Sequence, residues 1–339
     1  MLEPYDALRR IAFLLERSRA GTYRVKAFRG AAATVLATDP TEVRSRAASG
    51  TLTDLPGIGS ATEAVIQETL EGEIPTYLKS LEDKAAEPLV AGGLEVRAAL
   101  RGDLHSHSDW SDGGSPIQEM VVTAIELGHD YLVMTDHSPR LKIANGLSSE
   151  RLRKQLGVID SINSAVDDFR LLKGIEVDIL DDGALDQSPE MLSQLDLRVA
   201  SVHSKLAMSA APMTRRMIAA VENPHTNVLG HCTGRLVEGS RGTRDQSVFD
   251  AAAVFDACAA NGVAVEINAR PERCDPPDEL VALALDSGCL FSIDSDAHAP
   301  GQLDFQIYGC ARAERLGVPL ERIVNTWEMD RLLGWANSA

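Results

Sequence analysis

No stretch of the 339-residue sequence is apolar for long enough to cross a bilayer, so no membrane-embedded segment is expected. Cysteine is also scarce. The five cysteines are widely spaced and form no Cys-x-x-Cys pair, which argues against a disulfide framework and against a zinc ribbon. The N-terminus lacks the basic-then-apolar order of a signal peptide. These absences together predict a cytoplasmic protein with reduced thiols.

Positive charge is in short supply as well. The chain has 33 Lys and Arg against 50 Asp and Glu, a net charge of −17, which argues against wholesale coating of a nucleic acid. The first 50 residues differ, because they hold nine basic and five acidic residues. A slightly basic head on an acidic body is compatible with DNA contact through the head, although ordinary solubility also explains an acidic body.

The head is predicted to be all-helical. Its apolar residues recur at helical spacing, which predicts helices over 4–20, 23–37 and 62–71. The second of these helices carries Arg24, Lys26 and Arg29 on its outward side. We interpret the three cations either as contacts to a DNA backbone or as an ordinary solvated face.

A tight turn with two glycines, Leu55-Pro56-Gly57-Ile58-Gly59-Ser60, precedes the third helix. Such a turn leaves the backbone N–H groups of Gly57, Ile58, Gly59 and Ser60 bare at a helix N-terminus, which suits one phosphate. The pattern resembles the helix-hairpin-helix motif of DNA repair proteins, which holds a backbone phosphate without reading sequence. That motif often has a basic residue where this chain has Ser60, so we expect a weak grip.

From residue 100 onward, seven short apolar runs alternate with helical runs. This alternation predicts an α/β domain, either a parallel barrel or a doubly wound sheet. Residues 85–99 are rich in Ala and contain Pro88 and Gly92-Gly93, and we interpret them as a linker. The predicted domains are therefore 1–84 and 100–339.

Six of the seven predicted strand ends carry a residue that can bind a metal, and six of the eight histidines fall at these ends. A single histidine of this kind would more simply be a hydrogen-bonded core residue, but such clustering is improbable by chance. Imidazole and carboxylate together suit Zn, Mn or Fe better than Mg or Ca. The candidate metal ligands are His105, His107, Asp112, His137, Glu176, His203, His231, Asp296 and His298.

Nine ligands exceed the four or so that one zinc takes, so two or three divalent metal ions are expected. Clustered metals of this kind typically serve phosphoester hydrolysis. Rival catalytic signatures are missing, since the chain has no Gly-x-Ser-x-Gly elbow, no Walker loop and no strand-linked Gly-x-Gly-x-x-Gly.

Six short motifs around these ligands resemble those of the PHP (polymerase and histidinol phosphatase) superfamily. They are Gly102-Asp103-Leu104-His105-Ser106-His107, Thr135-Asp136-His137-Ser138, Gly174-Ile175-Glu176-Val177-Asp178, Ser201-Val202-His203-Ser204, Gly230-His231 and Asp294-Ser295-Asp296-Ala297-His298. The resemblance implies a distorted seven-stranded (βα)7 TIM-like barrel with a trinuclear metal site. It also implies that Glu176 bridges two metals. By the same resemblance, His105, His107 and Asp296 serve the first metal, and Asp112, His137 and His298 lie around another.

Within that superfamily the chain is similar to bacterial X-family DNA polymerases over 23–29, 55–59, 177–186 and 321–327. The polymerase palm and fingers have no room within 85–99, so nucleotide transfer is excluded. The resemblance then implies the hydrolytic half of those enzymes, a 3′–5′ exonuclease or repair nuclease that acts through a metal-bridged hydroxide. Cys232 is a departure, because the family more often has proline after the histidine.

Several polar residues near the ligands are candidates for substrate contact. Arg235 is predicted either to clamp a phosphate and, with Asp296 and His298, to take part in catalysis, or to be an ordinary surface charge. Lys142, Lys205 and Arg270 follow predicted strands and are expected to face the same mouth, unless they are ordinary surface charges. Trp110 is expected either to stack on a base or sugar or simply to pack.

The favoured interpretation is a metal-dependent phosphoesterase that hydrolyses DNA phosphodiesters, with sequence-independent contact to the DNA backbone. Two alternatives remain open at this point. One is a small-molecule phosphomonoesterase such as histidinol-phosphate phosphatase, which would give the head no role. The other is a noncatalytic DNA-binding scaffold with structural metals. The sequence leaves the metal identity and the oligomeric state open.

Overall fold

The computed structural model describes residues 2–239 and 242–337, which divide into two units between Leu89 and Val90. The division lies within the predicted linker, but the end of that segment, Leu94–Ala99, is a helix. Gly93 has a φ of +80°, and a Cβ there would lie 2.4 Å from the backbone nitrogen of Ala311. Gly93 therefore permits a close approach of two backbones, which any side chain at this position would prevent.

The first unit consists of helices, as predicted. Leu8, Ile11, Phe28 and Ile66 are almost fully buried between them. The α3 and α5 helices were not predicted, because short helices with few apolar residues give little periodic signal. The helices are α1 (Pro4–Arg17), α2 (Thr22–Ala37), α3 (Pro40–Ser49), α4 (Ser60–Leu70) and α5 (Thr76–Ala85).

The second unit is built on seven parallel strands paired in sequence order from β1 to β7. The strand order of a doubly wound sheet reverses partway through the sheet. The sequential order found here therefore excludes that alternative and confirms the predicted barrel. The strands are β1 (Gly102–Ser106), β2 (Tyr131–Met134), β3 (Arg170–Asp178), β4 (Leu197–Ser201), β5 (Val228–Leu229), β6 (Ala264–Asn268) and β7 (Leu290–Asp294).

A helix follows each strand, and α6 and α14 flank the series. None of the helices in the described residues is both long and apolar enough to cross a membrane. The helices are α6 (Leu94–Ala99), α7 (Ile117–Glu126), α8 (Ser149–Asn163), α9 (Pro189–Leu192), α10 (Ala210–Val221), α11 (Ala251–Asn261), α12 (Asp278–Asp286), α13 (Gln306–Leu316) and α14 (Met329–Ala336).

The barrel is nearly closed, with a seam between β1 and β7. At its upper end, Ser106 and Ala297 form an isolated parallel bridge. Lower down, the buried side chain of Asn325 joins the two strands. It accepts a hydrogen bond from the Ile293 N–H at 2.8 Å and donates to the carbonyl of Gly102 at 3.2 Å. At the seam, the Asn325 side-chain amide thus links the two strands, which elsewhere in the barrel are linked by hydrogen bonds between their backbones.

Apolar side chains fill the lower part of the barrel, where Tyr131, Leu172 and Val199 form one buried cluster with Trp327. Residues two apart on a strand point the same way, so the positions above this cluster also face the barrel axis. On β3 this places Glu176 above Leu172. The interior is therefore packed below and polar at the carboxyl ends of the strands, where the site lies.

Candidate functional site

Glu176, near the end of β3, lies at the centre of the polar cluster. Its Oε2 is 2.7 Å from His137 Nδ1 and 3.4 Å from His105 Nε2. Its Oε1 is 3.0 Å from His231 Nε2 and 3.2 Å from His203 Nε2. One buried carboxylate therefore faces histidines that four other strands supply.

Two further carboxylates extend the cluster. Asp296 Oδ1 lies 3.3 Å from His107 Nε2. Asp112 Oδ1 lies 3.4 Å from both His137 Nε2 and His298 Nε2. The cluster is thus long enough for more than one ion.

Ligand atoms within 4.8 Å of one another fall into three sets, and the sets share members. Eight of the nine predicted ligands belong to a set, and His231 adjoins the cluster through Glu176. The sets are His105, His107 and Asp296; His107, Asp112, His137 and His298; and His137, Glu176 and His203.

Several of these ligand atoms are buried and have no hydrogen-bond partner within the described residues. Both oxygens of Glu176 and both ring nitrogens of His107 are buried in this condition, together with His105 Nε2 and His203 Nε2. Such atoms are costly unless something else satisfies them. Imidazole nitrogens and carboxylate oxygens aimed at common points fit divalent metal ions. The cluster is therefore a site for two or three such ions.

The charge balance of the cluster favours the ligand forms of several groups. Burial alone would raise the pKa of Glu176, but His203, His105 and His137 outweigh it and hold that pKa well below its usual range. Burial, followed by the His298 and His137 charges, lowers the pKa of His107 well below its usual value. Glu176 is therefore held in its anionic form and His107 in its neutral form. At His105, His137 and His203, burial is outweighed by neighbouring carboxylates, which raise the pKa, so these histidines must release a proton when they bind a metal ion.

Carboxylates outside the cluster orient its histidines. Glu266 Oε1 lies 2.6 Å from His105 Nδ1, and Asp178 Oδ1 lies 3.1 Å from His203 Nδ1. Each contact directs the opposite ring nitrogen towards Glu176 and raises its basicity as a ligand. We did not predict either residue as part of the site. The i+2 spacing of Asp178 from Glu176 was a usable signal.

Asp136 holds the loop that carries Asp112. Its buried carboxylate accepts hydrogen bonds from the backbone N–H of Ser108 at 2.9 Å and from that of Ser111 at 3.2 Å. Gly113 closes the same loop, where a Cβ would come within 2.6 Å of the Ser108 backbone. The turn between His107 and Asp112 is therefore fixed, and it returns Asp112 to the cluster.

A cavity of about 650 Å³ opens over the cluster. Its lining combines ligand side chains, apolar side chains and three arginines. The ligands that reach it are Asp112, His137, His203, His231, Asp296 and His298, and the arginines are Arg244, Arg270 and Arg273.

Four of the residues predicted as substrate contacts do not line the cavity, and for three of them this placement agrees with the alternative, a surface charge for Lys142 and Lys205 and packing for Trp110. The Arg235 Nε donates at 3.1 Å to the backbone carbonyls of both Arg273 and Cys274, so its guanidinium braces a loop. Lys205 pairs with Asp181, and neither Lys205 nor Lys142 lines the cavity. Trp110 packs against the core around the barrel. Side-chain direction depends on partners that sequence spacing does not reveal.

Arg270 does line the cavity, as predicted, and Arg273 is a neighbour that we missed. Arg270 Nη1 donates to the backbone carbonyl of Asp296 at 3.0 Å and lies 2.9 Å from His298 Nδ1. Arg273 Nε donates to Asp296 Oδ2 at 3.1 Å. The sequence offers a signal for Arg273, because it follows Arg270 by three residues in the turn after β6.

In the helical unit, the predicted phosphate-binding turn is formed, but fewer N–H groups are available than we expected. Gly57 has a φ of +79°, which only glycine adopts readily. The N–H of Ile58 is bonded to the Leu55 carbonyl, and that of Gly59 is bonded to Thr62 Oγ1 at 2.9 Å. The N–H groups of Gly57 and of Ser60, at the exposed start of α4, are what remains of the four for an anion.

The three basic residues of α2 do not form one exposed basic surface. Arg29 turns inward and forms a bidentate pair with Glu16, with Nε to Oε1 at 2.8 Å and Nη2 to Oε2 at 2.7 Å. We correct its assignment as a DNA contact, because its donors hold α2 to α1. Arg24 and Lys26 are exposed.

Two family models match the sequence. One is described as the PHP domain and matches residues 103–270, and the other is described as the helix-hairpin-helix domain and matches residues 3–73.

Individual relatives include the DNA polymerase/3′-5′ exonuclease PolX of Bacillus subtilis, 36% identical over 253 residues. That match covers 75% of this chain and 42% of the relative, so the chain spans less than half of that protein. The Probable phosphatase YcdX of Escherichia coli K12 is 27% identical over 248 residues, which are 70% of this chain and 94% of that protein.

Among solved structures, histidinol phosphate phosphatase from Lactococcus lactis, complexed with zinc, L-histidinol and phosphate, aligns with a TM-score of 0.45 and 17% identity. The alignment covers 64% of this chain and 92% of that one.

Proposed function

We propose that this chain, which matches the PHP domain model over residues 103–270 and the helix-hairpin-helix domain model over residues 3–73, is a metal-dependent phosphoesterase that removes nucleotides from DNA 3′ ends. The observation that carries the proposal is the set of buried, hydrogen-bond-deficient nitrogens and oxygens around Glu176. The relative in Bacillus subtilis, named as a polymerase and 3′-5′ exonuclease, supports the DNA substrate.

In this proposal the metal ions are held by the nine predicted ligands. Glu176 would contribute at the centre of the site, His105, His107 and Asp296 would hold one ion, and Asp112, His137 and His298 would contribute to holding another. When bound, such ions lower the pKa of water and neutralise phosphate oxygens, which is the chemistry that phosphoester hydrolysis needs.

The side chains of the chain do the remaining work. Arg273, which Asp296 positions at 3.1 Å, presents its two Nη groups to the non-bridging oxygens of the phosphate. Arg270 contacts His298 and the Asp296 carbonyl, so it helps to hold the segment after β7 in place beside the site.

The helical unit supplies DNA affinity in this proposal. The start of α4 at Ser60 receives one backbone phosphate, and the exposed Arg24 and Lys26 add sequence-independent attraction. Removing residues 1–89 should therefore weaken DNA binding and reduce its salt dependence, while hydrolysis of a small chromogenic phosphodiester persists.

A small-molecule phosphomonoesterase is the second candidate. The cavity of about 650 Å³ is of ordinary size for a small ligand, and the probable phosphatase from Escherichia coli is matched over 94% of its length. The helical domain has no role in that alternative.

One experiment separates these functions. The metal-loaded protein is incubated with 5′-labelled single-stranded and gapped DNA and, in parallel, with histidinol phosphate. His107→Ala removes a ligand, and His225→Ala is the matched control, because His225 lies outside the cluster. Laddering of DNA that is lost only in His107→Ala is the expected result.

Phosphate release from histidinol phosphate without laddering would support the phosphomonoesterase instead. Binding of DNA and of metal without hydrolysis of either substrate would support the scaffold alternative.

A further inference from the structure

The most exposed large apolar side chain of the described residues stands at the edge of the cavity. Ile143 is 96% exposed, yet it lines the same cavity as the metal-ligand cluster. Leu141, Leu206 and Leu236 contribute to the lining as well. We call these four side chains the apolar wall. An isolated exposed isoleucine needs no explanation, but one that continues an apolar wall into a charged cavity does.

The loop that carries Ile143 is held firmly. It begins at His137, whose carbonyl accepts a hydrogen bond from the Leu147 N–H at 2.7 Å. A Cβ at Gly146 would lie 1.9 Å from the Ser138 carbonyl oxygen, so the loop crosses itself too closely for any side chain there. Ile143 is therefore exposed on an ordered loop, and its exposure does not result from local disorder of the chain.

The polar part of the cavity has the opposite character. Arg270 and Arg273 lie beside Asp296, and these cations suit an anion. A ligand that fills the cavity therefore joins an anionic group to a flat or bulky apolar one. A nucleotide has this composition, because its phosphate is anionic and the two faces of its base are apolar.

We propose that the apolar wall binds the base of the nucleotide whose phosphate lies at the metal cluster. This inference rests on the proposed phosphoesterase function and specifies the substrate class of that site. Aliphatic side chains contact the face of a base and not its hydrogen-bonding edge, so the wall accepts all four bases. Such sequence tolerance is what digestion of arbitrary DNA ends requires.

The test compares two chromogenic phosphodiesters that share a leaving group. Thymidine 5′-(p-nitrophenyl phosphate) carries a base, and methyl p-nitrophenyl phosphate does not. Ile143→Ser should raise KM for the thymidine ester about tenfold and leave kcat/KM for the methyl ester within twofold. Ile143→Met should restore the lower KM. Val248→Ser is the matched control, because Val248 is 62% exposed and does not line the cavity.

Equal effects of Ile143→Ser on both esters would overturn the inference, since the wall would then hold the aromatic leaving group. The absence of any effect on either ester would overturn it too. If the wild type hydrolyses neither ester, the proposed function fails, and calorimetric titration with thymidine 5′-monophosphate and methyl phosphate then decides about the wall alone. Base-dependent binding that Ile143→Ser abolishes supports the wall, and equal binding of the two phosphates refutes it.

Discussion

Replacing Asn325 with alanine should open the seam of the barrel. The Asn325 amide accepts from the Ile293 N–H at 2.8 Å and donates to the Gly102 and Ile293 carbonyls and to Asp294 Oδ1. The two carbonyls keep a partner after the substitution, because Gln306 Nε2 donates to both. The Ile293 N–H has no substitute acceptor of this kind and becomes a buried, unpaired donor.

The loss of stability in Asn325→Ala follows from the hydrogen bonds that the substitution removes. One buried unpaired N–H costs roughly 1–3 kcal/mol, and the lost bonds to Asp294 and the carbonyls add to it. We expect Asn325→Ala to lower the unfolding free energy of the barrel unit by about 3 kcal/mol. Asn325→Asp should cost more, because it keeps the volume but sets a second carboxylate beside Asp294 Oδ1, now 2.9 Å from the Asn325 nitrogen.

Tryptophan fluorescence in urea is a suitable assay. All three tryptophans, Trp110, Trp327 and Trp335, lie in the second unit, so their signal follows the barrel and not the helical unit. Asn261→Ala is the matched control, because the exposed Asn261 side chain bonds only to the Ala257 carbonyl of its own helix. A loss for Asn325→Ala no larger than that of the control would refute the account of the seam, as would an Asn325→Asp variant as stable as the wild type.

Three further predictions concern other parts of the barrel unit. Burial, followed by the nearby charge of Arg97, lowers the pKa of His129 from 6.5 to about 3. The unfolded chain therefore gains a proton between pH 7 and pH 5 that the folded chain does not. When the pH is lowered from 7 to 5, the unfolding free energy of the wild type, measured in urea titrations, should therefore fall by about 2 kcal/mol more than that of His129→Gln. Glu266→Gln should weaken zinc binding about 10- to 100-fold in competition with a chromogenic chelator, because it removes the carboxylate that orients His105; an unchanged affinity would contradict that role. Arg273→Gln should raise KM for a phosphodiester about tenfold or more at a little-changed metal content, whereas Arg215→Gln on the exposed face of α10 should leave it unaltered.

The barrel and its ligand cluster were predictable because two patterns coincide in this sequence: the alternation of apolar and helical runs, and the position of the histidines at the ends of the apolar runs. Apolar runs mark the strands, and His105, His137 and His203 stand where such runs end. The carboxyl ends of parallel strands meet at one face of a barrel, so residues far apart in sequence converge without further information. That convergence depends on backbone topology, and backbone topology is what hydrophobic periodicity reports.

The residues that sequence reasoning misplaced all depend on side-chain direction. Arg29 and Arg235 were assigned to phosphates, but Glu16 and a pair of backbone carbonyls take their donors. Nothing in the local sequence reveals such partners. Asn325 was overlooked for the same reason, since its importance comes from the gap between β1 and β7, which are 190 residues apart in the chain at Leu104 and Asp294.

Gly93 illustrates a different limit of sequence reasoning. Glycine is read in a sequence as a sign of flexibility, but it serves equally where two backbones must touch. At Gly93 the second reason applies, because a Cβ would meet the backbone of Ala311. The distinction requires knowledge of the neighbouring helix and is invisible in the local composition.

The central claim is that the residues around Glu176 form a metal site that hydrolyses phosphoesters. Its most direct test is the rate of p-nitrophenol release from bis(p-nitrophenyl) phosphate by chelator-treated protein as Mn²⁺ or Zn²⁺ is restored. We predict that the wild type is inactive without metal and reaches a plateau at two to three bound ions per chain, while Glu176→Gln stays inactive throughout. Hydrolysis that is independent of added metal, or equal rates for the wild type and Glu176→Gln, would contradict the account.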